Sequence, residues 1–197
     1  FGNSLLNSEA KACFTDFEVQ SLPYRAPEVA LGIAFDGQID VWSLGVLLVE
    51  LCLGRSLFLV KDREELVEAI CTRLPPIPKE RFTGGMFYHL LQRDLPSAPE
   101  PLTYLSRNVN DQGTSSTDEY DYALHTRAVW RLLNMDSDHA KAMNGVDGTT
   151  PRLSSQGALF IAGLLHPDPS CRLTPEEALA HPFLIDSLEI PVACLIG

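Results

Sequence analysis

Residues 24–58 read YRAPEVALGIAFDGQIDVWSLGVLLVELCLGRSLF, and this stretch decides the fold class. A helix can begin at Pro27, because the N–H that proline lacks would have no intrahelical partner in a first turn. From Gln38 to Leu53 the residues are apolar on nearly every face of a helix, which predicts a helix surrounded by protein. Gly54 stands where a C-terminal cap is expected. The stretch therefore predicts a helical domain built around residues 38–53.

The next predicted helix covers residues 62–74 and is amphipathic. Asp62 is suited to the N-cap position, since its carboxylate can accept a hydrogen bond from a free N–H of the first turn. Leu66, Ile70 and Leu74 recur at intervals of four residues, which places them on one helix face. The helix is predicted to end at a group of prolines, Pro75, Pro76 and Pro78.

Residues 79–150 differ in character from the helices on either side. They contain Gly84-Gly85, a proline-broken stretch at 96–101 and the polar run DQGTSSTDEYDY at 111–122, with one modest predicted helix at 122–133. Long irregular stretches within a compact domain are usually functional or disordered. This one is predicted to be a surface insert.

Helical periodicity returns in the last part of the chain. Residues 154–165, SSQGALFIAGLL, predict a buried helix. Thr174 begins another helix, with Pro175 at the first helical position and Glu177 at the third, which is the arrangement of a capping box. This helix is predicted to run as far as about His181, before the next proline. No strand is predicted, so the chain is expected to be mostly helical.

Composition limits the classes of partner. The chain has 197 residues, of which 45% are apolar and 21% charged, and these values suit one globular domain with a core. Its formal net charge of -11 argues against nucleic-acid binding, because phosphate backbones attract basic surfaces. The longest apolar run, residues 41–53, is shorter than the roughly 20 residues that a membrane helix needs. Neither a nucleic acid nor a membrane is predicted as a partner.

The cysteines and histidines show no metal-ligand spacing. None of the five cysteines forms a CxxC pair, and the odd number disfavours a complete disulfide framework. The five histidines contain no HExxH. No metal site is predicted, and reduced thiols favour an intracellular location, cytoplasmic or nuclear. The cysteines are Cys13, Cys52, Cys71, Cys171 and Cys194.

Three features in a fixed order resemble the protein kinase family. The chain opens with Phe1-Gly2, continues with Ala26-Pro27-Glu28, and then has DVWSLG at 40–45. In kinases this order marks the end of the magnesium-binding Asp-Phe-Gly, the Ala-Pro-Glu that closes the activation segment, and the central helix of the large lobe. The tail LLHPDPSCRLTPEEALAHPF at 164–183 resembles the last two helices of that lobe.

The resemblance implies a mainly α fold, the C-terminal (large) lobe of the protein-kinase fold without the β-rich small lobe and the catalytic loop. Residue 1 is then interpreted as a cut inside a longer polypeptide. The implied segments are the activation segment and substrate-side loop at 1–36, the central and following helices at 37–78, a group-specific insert at 79–152, and the final helices and tail at 153–197.

The resemblance also assigns structural roles. Glu28 is paired in kinases with a late arginine, here Arg172, and a buried carboxylate needs such a partner. Asp40 lies on an apolar helix and matches a residue that accepts hydrogen bonds from the catalytic loop. Trp42 is expected in the core, and Gly45 permits close packing of another backbone.

The substrate side resembles one group of kinases. The phrase VQSLPYRAPEVALG at 19–32, together with the insert, is similar to the dual-specificity tyrosine-regulated, homeodomain-interacting, mitogen-activated and cyclin-dependent kinases. In that group the arginine that matches Arg25 shapes the pocket for the residue after the phosphoacceptor and often favours proline there. Ser21 matches the small hydroxyl that contacts the catalytic Asp. Ser21 and Arg25 are therefore the expected substrate-pocket residues.

Two positions depart from that group. Glu18 replaces an activating tyrosine and carries about half the charge of a phosphate, and Leu22 replaces an arginine that helps to bind that phosphate. Two interpretations stay open: a segment that is not switched by tyrosine phosphorylation, or simple divergence of a loop. Thr15, Ser4 and Ser8 are further candidate phosphorylation sites.

The expected chemistry depends on residues outside this chain. Phosphoryl transfer needs a Gly-rich loop, a lysine on the phosphates, a catalytic Asp and magnesium ligands, and none is recognised here. The resemblance implies ATP and magnesium for a full-length parent, but neither is expected to bind this chain, which has no predicted catalytic residue.

Three functional hypotheses follow. The parent is expected to be a serine/threonine kinase, or one of dual specificity, that acts on protein substrates. The alternative is a pseudokinase or scaffold that uses the lobe as a docking surface. An unrelated helical interaction domain is the third, and it would place Glu28 and Arg172 far apart. In the kinase interpretation, helix 38–53 has an uncovered apolar face, so the chain is expected to need the missing lobe or another protein to stay soluble.

Overall fold

The computed structural model describes residues 19–74, 77–93, 129, 132–133 and 154–188. Within this part of the chain every regular element is helical and no strand occurs, which confirms the mainly helical prediction. The α-helices with both ends described are α1 Pro27–Leu31, α2 Gln38–Leu53, α3 Arg63–Arg73, α4 Ser155–Leu164, α5 Pro175–Leu179 and α6 Pro182–Leu188. Short 3-10 turns cover Leu22–Tyr24, Lys79–Phe82 and Tyr88–Gln92.

The ends of α1 and α2 follow signals in the sequence. Helix α1 begins with Pro27 and is capped at its C-terminal end by Gly32, whose φ is 70°. Helix α2 is capped by Gly54, whose φ is 66°. Both glycines have left-handed backbone, which a residue without Cβ adopts at little cost. The predictions for Pro27 and Gly54 are confirmed.

Side-chain caps begin the later helices. The Asp62 carboxylate accepts a hydrogen bond from the Glu65 N–H at 2.9 Å, and Ser154 caps α4 in the same way. At α5 the Thr174 hydroxyl accepts from the Glu177 N–H at 3.1 Å, while the Glu177 carboxylate accepts from the Thr174 N–H at 2.8 Å. The predicted capping box is therefore present, with both of its hydrogen bonds.

The C-terminal end of α5 differs from the prediction. Helix α5 ends at Leu179, slightly before His181, and Pro182 then begins α6, which the sequence did not predict. The proline that stops one helix can start the next, because its fixed φ and missing N–H are both compatible with a first helical position.

The core forms around α2. Its residues Trp42, Val46 and Val49 are fully buried. Helix α2 packs against α4 and against the turn Leu22–Tyr24, while α1 packs against α3. The predicted apolar face of α3 packs into the same core. Its fully buried members are Leu66, Ile70 and Leu74.

Helix α2 approaches the end of α4 closely at Gly45. A Cβ at this position would lie 2.8 Å from Leu165 Cγ and 3.0 Å from Leu164 Cβ, closer than packed side chains tolerate. The three atoms nearest to this position are side-chain atoms of Leu164 and Leu165.

Three side chains of residues 79–93 pack into the core. The Met86 N–H donates to the Gly32 carbonyl at 3.2 Å, so this segment lies against the end of α1. Val129 is buried in the same cluster. Most of residues 79–93 are nevertheless exposed, so the surface insert stays a prediction, and the rest of the predicted insert, apart from residues 129 and 132–133, lies outside the described residues. The buried side chains of this segment include Phe82, Leu90 and Leu91.

Candidate functional site

Glu28 and Arg172 form a buried ion pair between distant parts of the chain. The Arg172 Nη1 donates to Glu28 Oε1 at 2.6 Å, and Nη2 donates to Oε2 at 2.9 Å. The Glu28 side chain is 1% exposed and the Arg172 side chain is 0% exposed. A bidentate pair of this kind fixes orientation as well as balancing charge. The structure thus brings together the two residues that the resemblance had paired.

Arg172 also satisfies groups around the pair. Its Nε donates to the His166 carbonyl at 3.0 Å, and its Nη1 also donates to the Gln38 carbonyl at 2.8 Å. The guanidinium carbon lies 5.2 Å from the centre of the Trp42 ring. Helices α1 and α2 and the loop after α4 therefore meet at one arginine.

The two predicted substrate-pocket residues flank one 3-10 turn. Ser21 precedes the turn Leu22–Tyr24 and is exposed, whereas Arg25 follows it and is only 5% exposed. The Arg25 Nη2 donates to the backbone carbonyl of Gln20 at 3.2 Å. Gln20 has a φ of 63°, in the left-handed region that favours glycine. The guanidinium of Arg25 thus binds the carbonyl of the one non-glycine residue with a positive φ among the described residues.

The Gln20 side chain connects this loop to α2. Its Nε2 donates to the Ile39 carbonyl at 2.8 Å and to the Ser43 hydroxyl at 2.7 Å. Its Oε1 accepts from the Ala26 N–H at 3.0 Å. Sequence reasoning missed this role, because no spacing or cap pattern marks a glutamine whose partners depend on tertiary packing.

Tyr24 and Glu50 form a second polar link between the loop and α2. The Tyr24 hydroxyl donates to Glu50 Oε2 at 2.7 Å, and Glu50 Oε1 accepts from the Leu57 N–H at 2.8 Å. The hydrogen bond to Glu50, followed by desolvation and the negative charge of Glu50, raises the pKa of Tyr24 above its usual value. The Ser43 hydroxyl also donates to the Tyr24 carbonyl at 2.9 Å.

The remaining predicted residues fall into three groups. Ala26 and Pro27 are buried beside Glu28. Asp40 lies in the first turn of the apolar helix α2 with an exposed side chain, where a negative charge is favourable near a helix N-terminus. The residues that lie outside the described ranges are Phe1, Gly2, Ser4, Ser8, Thr15 and Glu18.

Over the described ranges, no group of three or more His, Cys, Asp or Glu side chains converges as a metal site would require. None of the helices in these ranges has the length and apolar character needed to cross a bilayer.

A family model described as the protein kinase domain matches residues 1–184. The chain belongs to the protein kinase family. Serine/threonine-protein kinase AFC3 of Arabidopsis thaliana is 32% identical over 169 residues, which cover 86% of this chain and 37% of the relative. The predicted family is therefore confirmed, and protein kinases use ATP and magnesium to phosphorylate proteins.

Two animal relatives belong to the predicted group. Dual specificity tyrosine-phosphorylation-regulated kinase 3 of Homo sapiens is 30% identical over 182 residues, covering 90% of this kinase chain and 28% of the relative. Homeodomain-interacting protein kinase 4 of Mus musculus is 30% identical over 200 residues, covering 93% of this chain and 31% of the relative. This kinase chain thus spans about a third of the length of the curated relatives it matches.

A solved structure is also similar. A chain in the structure of the CAK complex from Chaetomium thermophilum bound to ATP-gamma-S matches with a TM-score of 0.47 and 18% identity, covering 87% of this chain and 41% of that one.

Proposed function

We propose that this chain is the large-lobe part of a serine/threonine kinase that transfers the γ-phosphate of ATP to protein hydroxyls, with dual specificity as a further option. The observation that carries the proposal is the buried Glu28–Arg172 pair, which fastens the end of the substrate-side loop to the helical core. A loop that orients a peptide must be held by a rigid scaffold, because a small misplacement of the acceptor hydroxyl slows transfer greatly.

We propose that the chain alone does not transfer phosphate. Its 197 residues contain neither a GxGxxG loop nor a His-Arg-Asp sequence, the motifs that cover the phosphates and supply the catalytic Asp in kinases. ATP and magnesium would then bind residues of the full-length protein outside this chain.

We further propose that the substrate pocket prefers proline after the phosphoacceptor. The left-handed backbone at Gln20 directs its carbonyl to the Arg25 guanidinium, which donates to it at 3.2 Å. A substrate residue whose N–H faces this loop then finds that acceptor already engaged, and an unmatched buried donor is costly. Proline has no backbone N–H, so at this position it leaves no donor without a hydrogen bond.

The direct test is transfer from Mg-ATP to matched peptides that differ only in Ser-Pro, Ser-Ala or Tyr-Pro. The full-length protein that contains this chain is expected to phosphorylate the Ser-Pro peptide best, and the chain alone to phosphorylate none. Arg25→Met should reduce the preference for Ser-Pro, whereas Arg93→Met, at an exposed arginine, should not. A full-length protein that transfers no phosphate would favour the pseudokinase or scaffold function instead. Transfer by the chain alone would contradict the second proposal.

Helix α2 has an apolar face that we propose is covered by another part of the full-length protein or by a partner. Leu44, Leu47 and Leu51 recur along one side of the helix and are 43%, 44% and 70% exposed. Contiguous exposed apolar surface favours association. The chain alone is therefore expected to self-associate in sedimentation velocity, and Leu47→Lys with Leu51→Lys should reduce this. A wild-type chain that stays monomeric at high concentration would count against the proposal.

We also propose an intracellular location, cytoplasmic or nuclear. In the described part of the chain, Cys52, Cys71 and Cys171 are free thiols, as is usual in reducing compartments. Imaging of the tagged full-length protein tests this, and secretion into the medium would contradict it.

A further inference from the structure

Asp168 is a buried carboxylate in the loop between α4 and α5. The residue is only 6% exposed, and a carboxylate removed from water needs partners for its charge. Its Oδ2 lies 3.0 Å from the Nε of Arg81, and its Oδ1 accepts from the Ser170 N–H at 2.9 Å and from the Ser170 hydroxyl at 2.7 Å. Arg81 therefore supplies a positive charge that balances Asp168, and the Ser170 hydroxyl supplies a donor.

These three residues connect two separate parts of the chain. Arg81 belongs to the 3-10 turn Lys79–Phe82, whereas Asp168 and Ser170 belong to the loop that leads to Arg172. The Asp168 carbonyl also accepts from the Arg172 N–H at 3.1 Å. Asp168 thus fixes the backbone of the arginine in the buried ion pair. A change of charge beside Asp168 would therefore alter the support of the pair that holds α1.

Two members of this cluster are open to solvent. Ser170 is exposed, and the Arg81 side chain is 63% exposed. An enzyme can therefore reach the Ser170 hydroxyl, and Arg81 can follow a new anion outward. A phosphate on that hydroxyl would carry about -1.5 to -2 charges at pH 7 and three strong acceptor oxygens, more than the single charge of a carboxylate.

We propose that Ser170 is a phosphorylation site whose phosphate draws Arg81 away from Asp168. In the modification, a protein kinase transfers the γ-phosphoryl group of ATP to the Ser170 oxygen, and ADP and a proton are released. The esterified oxygen can no longer donate to Asp168, and the added charge repels the carboxylate. Asp168 then stays buried without its arginine, which destabilises the turn that ends at Arg172.

The expected loss of activity rests on the proposed function, whereas the expected loss of stability does not. With phosphoserine in place of Ser170 in the full-length protein, kcat/KM for the Ser-Pro peptide should fall by about fivefold or more, the size usual for coupling between separate sites. The urea midpoint of unfolding should fall as well. Ser170→Ala removes the hydroxyl without adding charge and should change kcat/KM by about twofold or less.

Two comparisons separate this mechanism from a general effect of a phosphate. Phosphoserine in place of Ser56, an exposed serine in the loop between α2 and α3, is the matched control and should leave kcat/KM and the urea midpoint unchanged. In Arg81→Met the carboxylate of Asp168 already lacks its guanidinium, so phosphoserine at position 170 should cause a smaller fold-change than in the wild-type background. Ser170→Glu adds one charge and gives a second measure in the same direction if the phosphorylated protein does not fold.

The experiment begins with mass spectrometry of the full-length protein isolated from the cells that make it. Trypsin releases residues 153–172 as one peptide, in which fragment ions distinguish Ser170 from Ser154 and Ser155. Phosphate on Ser170, with a smaller effect of phosphoserine in Arg81→Met, supports the proposal.

Two results would overturn the proposal while leaving the kinase function standing. One is the absence of phosphate from Ser170 in the isolated protein, and the other is an equal effect of phosphoserine with and without Arg81. A wild-type protein without transfer activity would overturn the kinase function alone, because mass spectrometry and urea unfolding would still test Ser170.

Discussion

Tyr24 shows how one side chain adds to the attachment of the loop before α1 to helix α2. Its hydroxyl donates to Glu50 at 2.7 Å, and this bond, with burial, raises the pKa of Tyr24. A folded-state pKa above the usual value of about 10 means that the contribution to stability is present below pH 10 and is lost as the pH rises through the higher folded value.

Tyr24→Phe is therefore expected to lower the free energy of unfolding by about 1 kcal/mol at neutral pH, because one hydrogen bond is lost. The difference from wild type should shrink above pH 10, where the wild-type phenol ionises beside Glu50. Urea unfolding of both proteins at pH 7 and above pH 10 measures this difference in the free energy of unfolding. An equal difference at both pH values would contradict the assigned cause.

Sequence reasoning at the residue scale succeeded where a residue's partner follows from the family pattern. Glu28 and Arg172 were paired in advance because both stand in recognisable motifs. Gln20 was not recognised, since its contacts to Ile39 and Ser43 depend on how a loop lies on α2. No sequence pattern predicts that a glutamine will have a left-handed φ.

At the scale of helices, local signals fixed the starts better than the ends. Asp62 and Thr174 cap the helices that they were predicted to cap. The buried side chains Phe82, Leu90 and Leu91 were not predicted, because they lie in short 3-10 turns, which have no helical or strand periodicity to detect. Helix α6 was missed because Pro182 was interpreted only as a stop.

The contact between α2 and α4 gives a prediction at this scale. Gly45→Ala would place a Cβ 2.8 Å from Leu165 Cγ and should lower the free energy of unfolding by about 1–3 kcal/mol through overpacking. Gly84→Ala is the control, because a Cβ there has no neighbour within 4 Å, and its effect should stay within about 0.5 kcal/mol. Thermal or urea unfolding distinguishes them, and equal effects would show that the approach at Gly45 is not tight.

At the scale of the whole molecule, the Glu28–Arg172 pair joins the first helix to a loop 144 positions later in the chain. Its two carboxylate bonds, the His166 and Gln38 carbonyls and the Trp42 ring surround one guanidinium. Removal of either partner leaves a buried charge without compensation, which usually costs about 3–5 kcal/mol. The attachment of α1 to the core is therefore expected to depend on this pair more than on any exposed ion pair.

The most direct measurement is a double-mutant cycle on Glu28→Gln and Arg172→Met, followed by urea unfolding. The predicted result is a loss of about 3–5 kcal/mol for each single variant and a double variant that loses at least about 2 kcal/mol less than the sum. The same cycle on the exposed pair Glu64 and Arg93 should give a coupling below about 1 kcal/mol. Additive losses at Glu28 and Arg172 would contradict the claim that this buried pair holds α1 to the rest of the helical core.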